Sequence, residues 1–208
     1  MTILNRLASQ LNRRDEEPNI EIALELVREN NREGIHEIIQ NLSSKDKRIK
    51  QDCIKVVYEI GKLKPELISE YALTLITLLK SSNNRLVWGS MQALATIAKE
   101  VPEVLMEHLH TIKLAIKNGS VITVDKGILT LALLASINKE NNDKIFPFLM
   151  EHLNTCRTKE IPQHAESILM AITDANKEEF LAILQEREPY LTKPQHKRVT
   201  AIKKHLTS

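Results

Sequence analysis

The chain's only tryptophan, Trp88, stands one helical turn after Arg85 and 37 residues before Asp125. A tryptophan is costly to leave in water and is enriched where partners are recognised. Cations at Arg48, Arg85 and Lys159, with Lys45, Lys47 and Lys50 beside the first, would suit an acidic peptide or a nucleic-acid backbone. Acids at Asp46 and Asp52 dilute that row, and Ile122 interrupts it, so a solvated helix edge accounts for it better than an anionic partner does. Other chemistries find less support. His108 and His110 are two residues apart, on different sides of a helix, and no third ligand follows at zinc spacing. No glycine-rich phosphate loop, nucleophile elbow or Cys/His pairing is visible. The sequence therefore calls for no metal and no cofactor.

The elements that must carry these residues follow from an internal period. Lys64-Pro65-Glu66-Leu67-Ile68 returns 37 residues later as Val101-Pro102-Glu103-Val104-Leu105. One column reads Ile38, Leu75, Ile112, Leu149; another reads Val57, Leu94, Leu131, Ile168. A small-residue column, Cys53, Ser90, Gly127, marks where helices pass closely. Two-helix units of this length cannot bury their apolar stripes alone, so neighbours must stack. Asp46, Asn83 and Ser120 occupy one column at the expected N-caps of the second helices, and Pro65 and Pro102 open first helices. The period predicts helices near 2–13, 19–30, 32–43, 46–62, 65–81, 83–99, 102–117, 121–137, 143–155, 160–173, 177–187 and 194–206. Pro147 and Pro162 should kink or delay the helices of the fourth copy. Capping boxes are expected at Asn176–Glu179 and Thr192–Gln195.

On the second helices, the 3.6-residue period places Ile49, Cys53, Val57 and Ile60 inward. Gln51, Lys55, Tyr58 and Lys62 then lie on the opposite face; Trp88 and Gln92 follow one copy later, and Asp125 the next. Trp88 either packs between adjacent second helices or meets a partner there.

The loop residues Asp46 and Asn83, the aliphatics Ile49 and Leu86, the small residues Cys53 and Ser90, and the pair Val57 and Ile60 resemble the second helix of HEAT/armadillo-type repeats. The resemblance covers roughly residues 31 to 175. It implies an all-α fold, an α-solenoid of antiparallel helix pairs coiled as a right-handed superhelical rod. Residues 1–208 would form a single array, with capping helices at 1–30 and 176–208. The family pattern favours a basic residue after the aliphatic; here Lys50 keeps it, but Val87, Val124 and Ile161 do not. Helical-repeat DNA glycosylases acting on alkylpurines look similar and place aromatics, an Asp and an Arg along their groove, but this chain offers only Trp88 and Tyr58 for the aromatic part.

Composition agrees with a soluble helical fold. Hydrophobic residues make up 42% of 208, aromatics only 3%, and the net charge of +2 gives no general attraction for polyanions. Two cysteines are too few for a disulfide framework, and no segment reads as a signal or membrane span. A cytoplasmic, non-catalytic module is expected, binding a protein partner on its concave face through Arg48, Gln51, Lys55, Tyr58, Arg85, Trp88, Gln92, Asp125 and Lys159. A DNA-binding glycosylase is the alternative.

Overall fold

The computed structural model describes residues 2–207, among which lie twelve α-helices and no strand. The chain is an α-solenoid of antiparallel helix pairs. It comprises two compact units, Met1–Gly127 and Ile128–Ser208, with the boundary inside one helix.

The first unit contains α1 (Glu17–Arg28), α2 (Arg32–Gln40), α3 (Lys47–Leu63), α4 (Ala72–Leu78), α5 (Asn84–Ile97), α6 (Pro102–Glu107) and α7 (Leu109–Asn118); α8 (Val121–Ala135) begins in it. α3 packs against α1, α2 and α5, and α5 also against α4. The expected small column is at the seam: Cys53 and Ser90 are fully buried, and Gly127 is buried with no room for a Cβ beside Ile116. Burial pushes the Cys53 thiol up to about 12, so it is a packing residue rather than a nucleophile. Asp46 and Asn83 cap α3 and α5 as expected, accepting from the amides of Arg48 and Arg85 at 2.7 and 3.1 Å. The Ser120 hydroxyl instead lies 3.1 Å from the hydroxyl of Thr123.

Two expected helices of this unit are broken. Where the period predicts 65–81, the chain forms 3₁₀ turns at Pro65–Leu67 and Ser69–Tyr71 before α4. Where it predicts 102–117, α6 ends and α7 begins at His108. The segment expected as a helix over 2–13 is only a 3₁₀ turn at Ile3–Arg6. The amides of Ala8 and Ser9 are taken by the side chains of Asn19 (3.0 Å) and Asp52 (2.8 Å) rather than by helical carbonyls. Asn12 turns the chain with a φ of 55°. Leu7 is fully buried, whereas Leu11, which a helix over 2–13 would place on the same face, is half exposed.

The second unit contains α9 (Lys139–Thr155), α10 (Ile161–Ile168), α11 (Lys177–Arg187) and α12 (Lys193–Thr207). α9 packs against α10 and α11, and α12 against α10 and α11. α9 starts four residues earlier than expected because Asn138 caps it, accepting from the amide of Asn141 at 2.8 Å; it runs on past Pro147. Pro162 sits in the first turn of α10, where its missing N–H costs nothing. Gln195 accepts from the amide of Thr192 at 2.8 Å, half of the expected capping box. Asn176 makes none: its carbonyl accepts from Thr173 and its amide donates to Asn142. Two cations of α12 are paired by acids outside it, Arg198 by Glu166 and Lys203 by Glu188.

Leu94 is fully buried in α5. Leu94→Ala should therefore cost about 2–5 kcal/mol in urea denaturation. A loss below about 0.5 kcal/mol would contradict its place in the core.

Candidate functional site

α3 and α5 lie side by side, and the residues flanking their seam form one cluster around Tyr58 and Trp88. The two rings stand 6.0 Å apart between centroids and tilt 48° to each other, within the range of attractive aromatic pairs. Cations bracket them: Lys55 and Lys62 lie 5.0 and 4.9 Å from the Tyr58 ring, and Arg85 lies 5.2 Å from the Trp88 ring. Trp88 is half-buried. It therefore packs between the second helices and keeps part of its surface open.

Two residues differ from the expected polar face. Lys55 and Tyr58 are buried, at 7% and 4% exposure. The wheel of α3 places them away from its own core, but Glu16, just before α1, meets Lys55, and Trp88 of α5 packs against Tyr58. The Glu16 carboxylate lies 2.9 Å from the Lys55 ammonium through one oxygen, and its other oxygen accepts from the Arg85 guanidinium. Glu59 accepts from Lys55 and Lys62, both at 2.8 Å.

The protonation of this network follows from its geometry. Burial opposes the charge on Lys55, but bonds to Glu59 and Glu16 outweigh it and hold its pKa above the ordinary lysine value. Burial likewise opposes the charge on Glu16, and its bonds to Lys55 and Arg85 prevail, holding it below the usual carboxylate range. Glu59 is lowered in the same way by Lys55 and Lys62. Burial raises the Tyr58 hydroxyl, with Lys55 opposing. All four groups therefore keep their neutral-pH charge states.

Beside Glu16 opens a polar cleft of about 400 Å³, lined by Arg48, Gln51, Asp52 and Arg85 on one side and by Arg13 and Arg14 on the other. The Arg85 Nε and the Asn83 amide nitrogen at this place are buried without a hydrogen-bond partner. Gln51 donates to Asn83 at 3.4 Å. Arg48 is exposed, 3.7 Å from Asp46.

The structure thus brings together Arg48, Gln51, Lys55, Tyr58, Arg85 and Trp88 of the expected set. Gln92 and Asp125 are half-buried on α5 and α8 and do not line the cleft. Lys159 lies in the second unit, exposed in the 3₁₀ turn Thr158–Glu160 before α10. Glu16 had no signal in the 37-residue period, because it precedes the regular copies. A second group also escaped: His152, Cys156 and His164 bring one ligand atom each within 4.8 Å of one another. The four-residue spacing of His152 and Cys156 was its only trace in the sequence.

No protein-family model matches the sequence, and no curated protein matches it. Among solved structures, an engineered protein is similar at 16% identity, covering 100% of this chain and 97% of its own, with a TM-score of 0.70. A designed armadillo repeat protein in complex with the peptide (KR)4 is similar at 15% identity, covering 98% of this chain and 99% of its own, also at 0.70. Computationally designed armadillo repeat proteins for modular peptide recognition give 14% identity, 97% of each chain and a TM-score of 0.71. The fold is that of the armadillo/HEAT-type helical repeats.

The ion network makes two expectations. Lys55→Ala leaves two carboxylates facing one another with less charge between them and should destabilise by about 1–3 kcal/mol, with part recovered in Lys55→Met. Glu16 has a lowered folded-state value, so its contribution is present above the ordinary 4.5 and is lost as pH falls through the lowered value. The stability of Glu16→Gln, followed by chemical denaturation at a series of pH values, should accordingly fall less steeply below about 4.5 than that of the native chain.

Proposed function

We propose that the protein is a non-catalytic binding module whose α3–α5 face receives a peptide segment of a protein partner. The observation that carries this reading is Glu16, a carboxylate from outside α3 and α5 held between Lys55 and Arg85 beside the half-open Trp88. An acidic side chain of a partner would meet the same two cations, with the Tyr58–Trp88 pair supplying apolar contact. Designed armadillo repeat proteins of similar fold recognise peptides, which supports a peptide as the partner here. No described helix is long and apolar enough to cross a membrane. Both cysteines are free and buried, which supports a reducing, cytoplasmic setting.

Because Trp88 is the only tryptophan, its fluorescence reports the site directly. Titration with an (Asp-Glu)4 peptide should change its emission saturably, and (Lys-Arg)4 should not. Trp88→Ala, with circular dichroism and melting cooperativity retained, should weaken binding of a labelled acidic peptide by about 2 kcal/mol. Response to the basic peptide alone would refute the acidic partner. Release of alkylated bases from duplex DNA, abolished in a folded Asp125→Asn variant, would replace the binding module with the glycosylase.

A further inference from the structure

His152 lies in the last turn of α9 and Cys156 is the extended residue that ends it, and α10 brings His164 against them. The Nε2 of His152 and the Nδ1 of His164 are 2.9 Å apart, with ring centroids at 4.8 Å. His164 is fully buried, Cys156 is 9% exposed and His152 is half-buried. We propose that His152 Nε2, His164 Nδ1 and Cys156 Sγ bind a zinc ion. Two imidazoles and a thiolate suit a borderline-soft cation, and three protein ligands leave a fourth position open to water or another small donor.

The distances are close to those required. Tetrahedral zinc with Zn–N of about 2.1 Å and Zn–S of about 2.3 Å sets its ligand atoms roughly 3.3–3.6 Å apart. The imidazole nitrogens must part slightly from 2.9 Å, and the sulfur, within 4.8 Å, must approach by no more than about 1.2 Å. Rotation about the Cys156 side chain supplies that, since its thiol makes only a 3.6 Å contact to the Leu153 carbonyl. The backbone beneath is fixed: Arg187 of α11 donates to the carbonyls of Leu153 (3.2 Å), Asn154 and Cys156 (2.7 Å), tying down the end of α9. On binding, the thiol proton leaves to solvent as the Zn–S bond forms. The hydrogen shared by the two imidazoles moves to the outer nitrogen of the ring that donated it, so both inner lone pairs face the metal.

Calorimetric titration of the reduced full-length chain with Zn²⁺ should show one equivalent bound more tightly than about 10 µM. Co²⁺ should give the intense visible bands of a tetrahedral site together with thiolate-to-metal charge transfer. Cys156→Ala should remove the charge-transfer band and weaken zinc binding by more than the roughly 10–100-fold expected from losing an outer partner. His164 is buried too deeply for its replacement to separate metal loss from misfolding. His152→Gln, checked by circular dichroism, is therefore the second variant, and Cys53→Ala should bind as the native chain does. Binding weaker than about 10 µM, or one equivalent retained undiminished in both Cys156→Ala and His152→Gln, would overturn the site.

Discussion

A pair of helices joined by a short turn cannot cover its own apolar stripe, and in this chain the remedy is a close approach between α3 and α5. Gly89 of α5 faces Ile54 of α3 so tightly that a Cβ there would stand 2.6 Å from the isoleucine side chain. The fully buried Cys53 and Ser90 line the same seam. With the backbones this near, the longer side chains beside the seam have nowhere else to go. Tyr58 meets Trp88, and Lys55 and Arg85 converge on the space in front of them. The candidate binding face is thus a consequence of core packing: it exists because large residues flank a row of small ones.

Filling that space with charge is energetically expensive, since an ammonium taken from water recovers the loss only through well-placed partners. Lys55 has two, Glu16 and Glu59, and Tyr58 offers its ring as a third surface. An apolar residue of similar length would pack there with less demand on its neighbours. What the charges add is register. Asn19 and Asp52 capture the amides of Ala8 and Ser9 while Glu16 reaches Lys55 and Arg85, so the leading segment lies on α3 in one position. In the proposed binding, a partner's carboxylate would take the place of Glu16 between these two cations.

Much of the fold was legible because its signals are local and repeated. The columns through Leu94 and through Cys53, Ser90 and Gly127, and the caps at Asp46 and Asn83, each rest on residues whose partners sit at fixed spacing. Legibility failed where partners are distant. Ile3, Leu4 and Leu7 have helical spacing, yet Asn19 and Asp52 take the amide hydrogens a helix would use. Lys55 and Tyr58 lie on the polar side of their own helix and are buried, with Glu16, some forty residues earlier, on Lys55 and Trp88 of the next second helix against Tyr58. A helical wheel reports one helix and cannot see what is laid across it. Trp88 and Arg85 were identifiable by type alone, whereas Glu16 looked like any acid near a helix start.

The sharpest case is a sequence that occurs twice. Leu105-Met106-Glu107-His108-Leu109 and Leu149-Met150-Glu151-His152-Leu153 are identical, but the first is cut at its histidine, where α6 gives way to α7, and the second is continuous helix. Local propensity is the same in both, so context decides. Around the second copy, Asn138 caps α9, Arg187 binds its last carbonyls, and α10 presents the buried ring of His164. A break at His152 would pull its imidazole away from that ring and leave a buried nitrogen without its partner, a penalty the His108 copy, whose histidine ends a helix, does not face. The continuity of α9 and the pairing of His152 with His164 therefore support each other. The same side-chain type serves as a helix end in one copy and as part of a three-residue ligand set in the other.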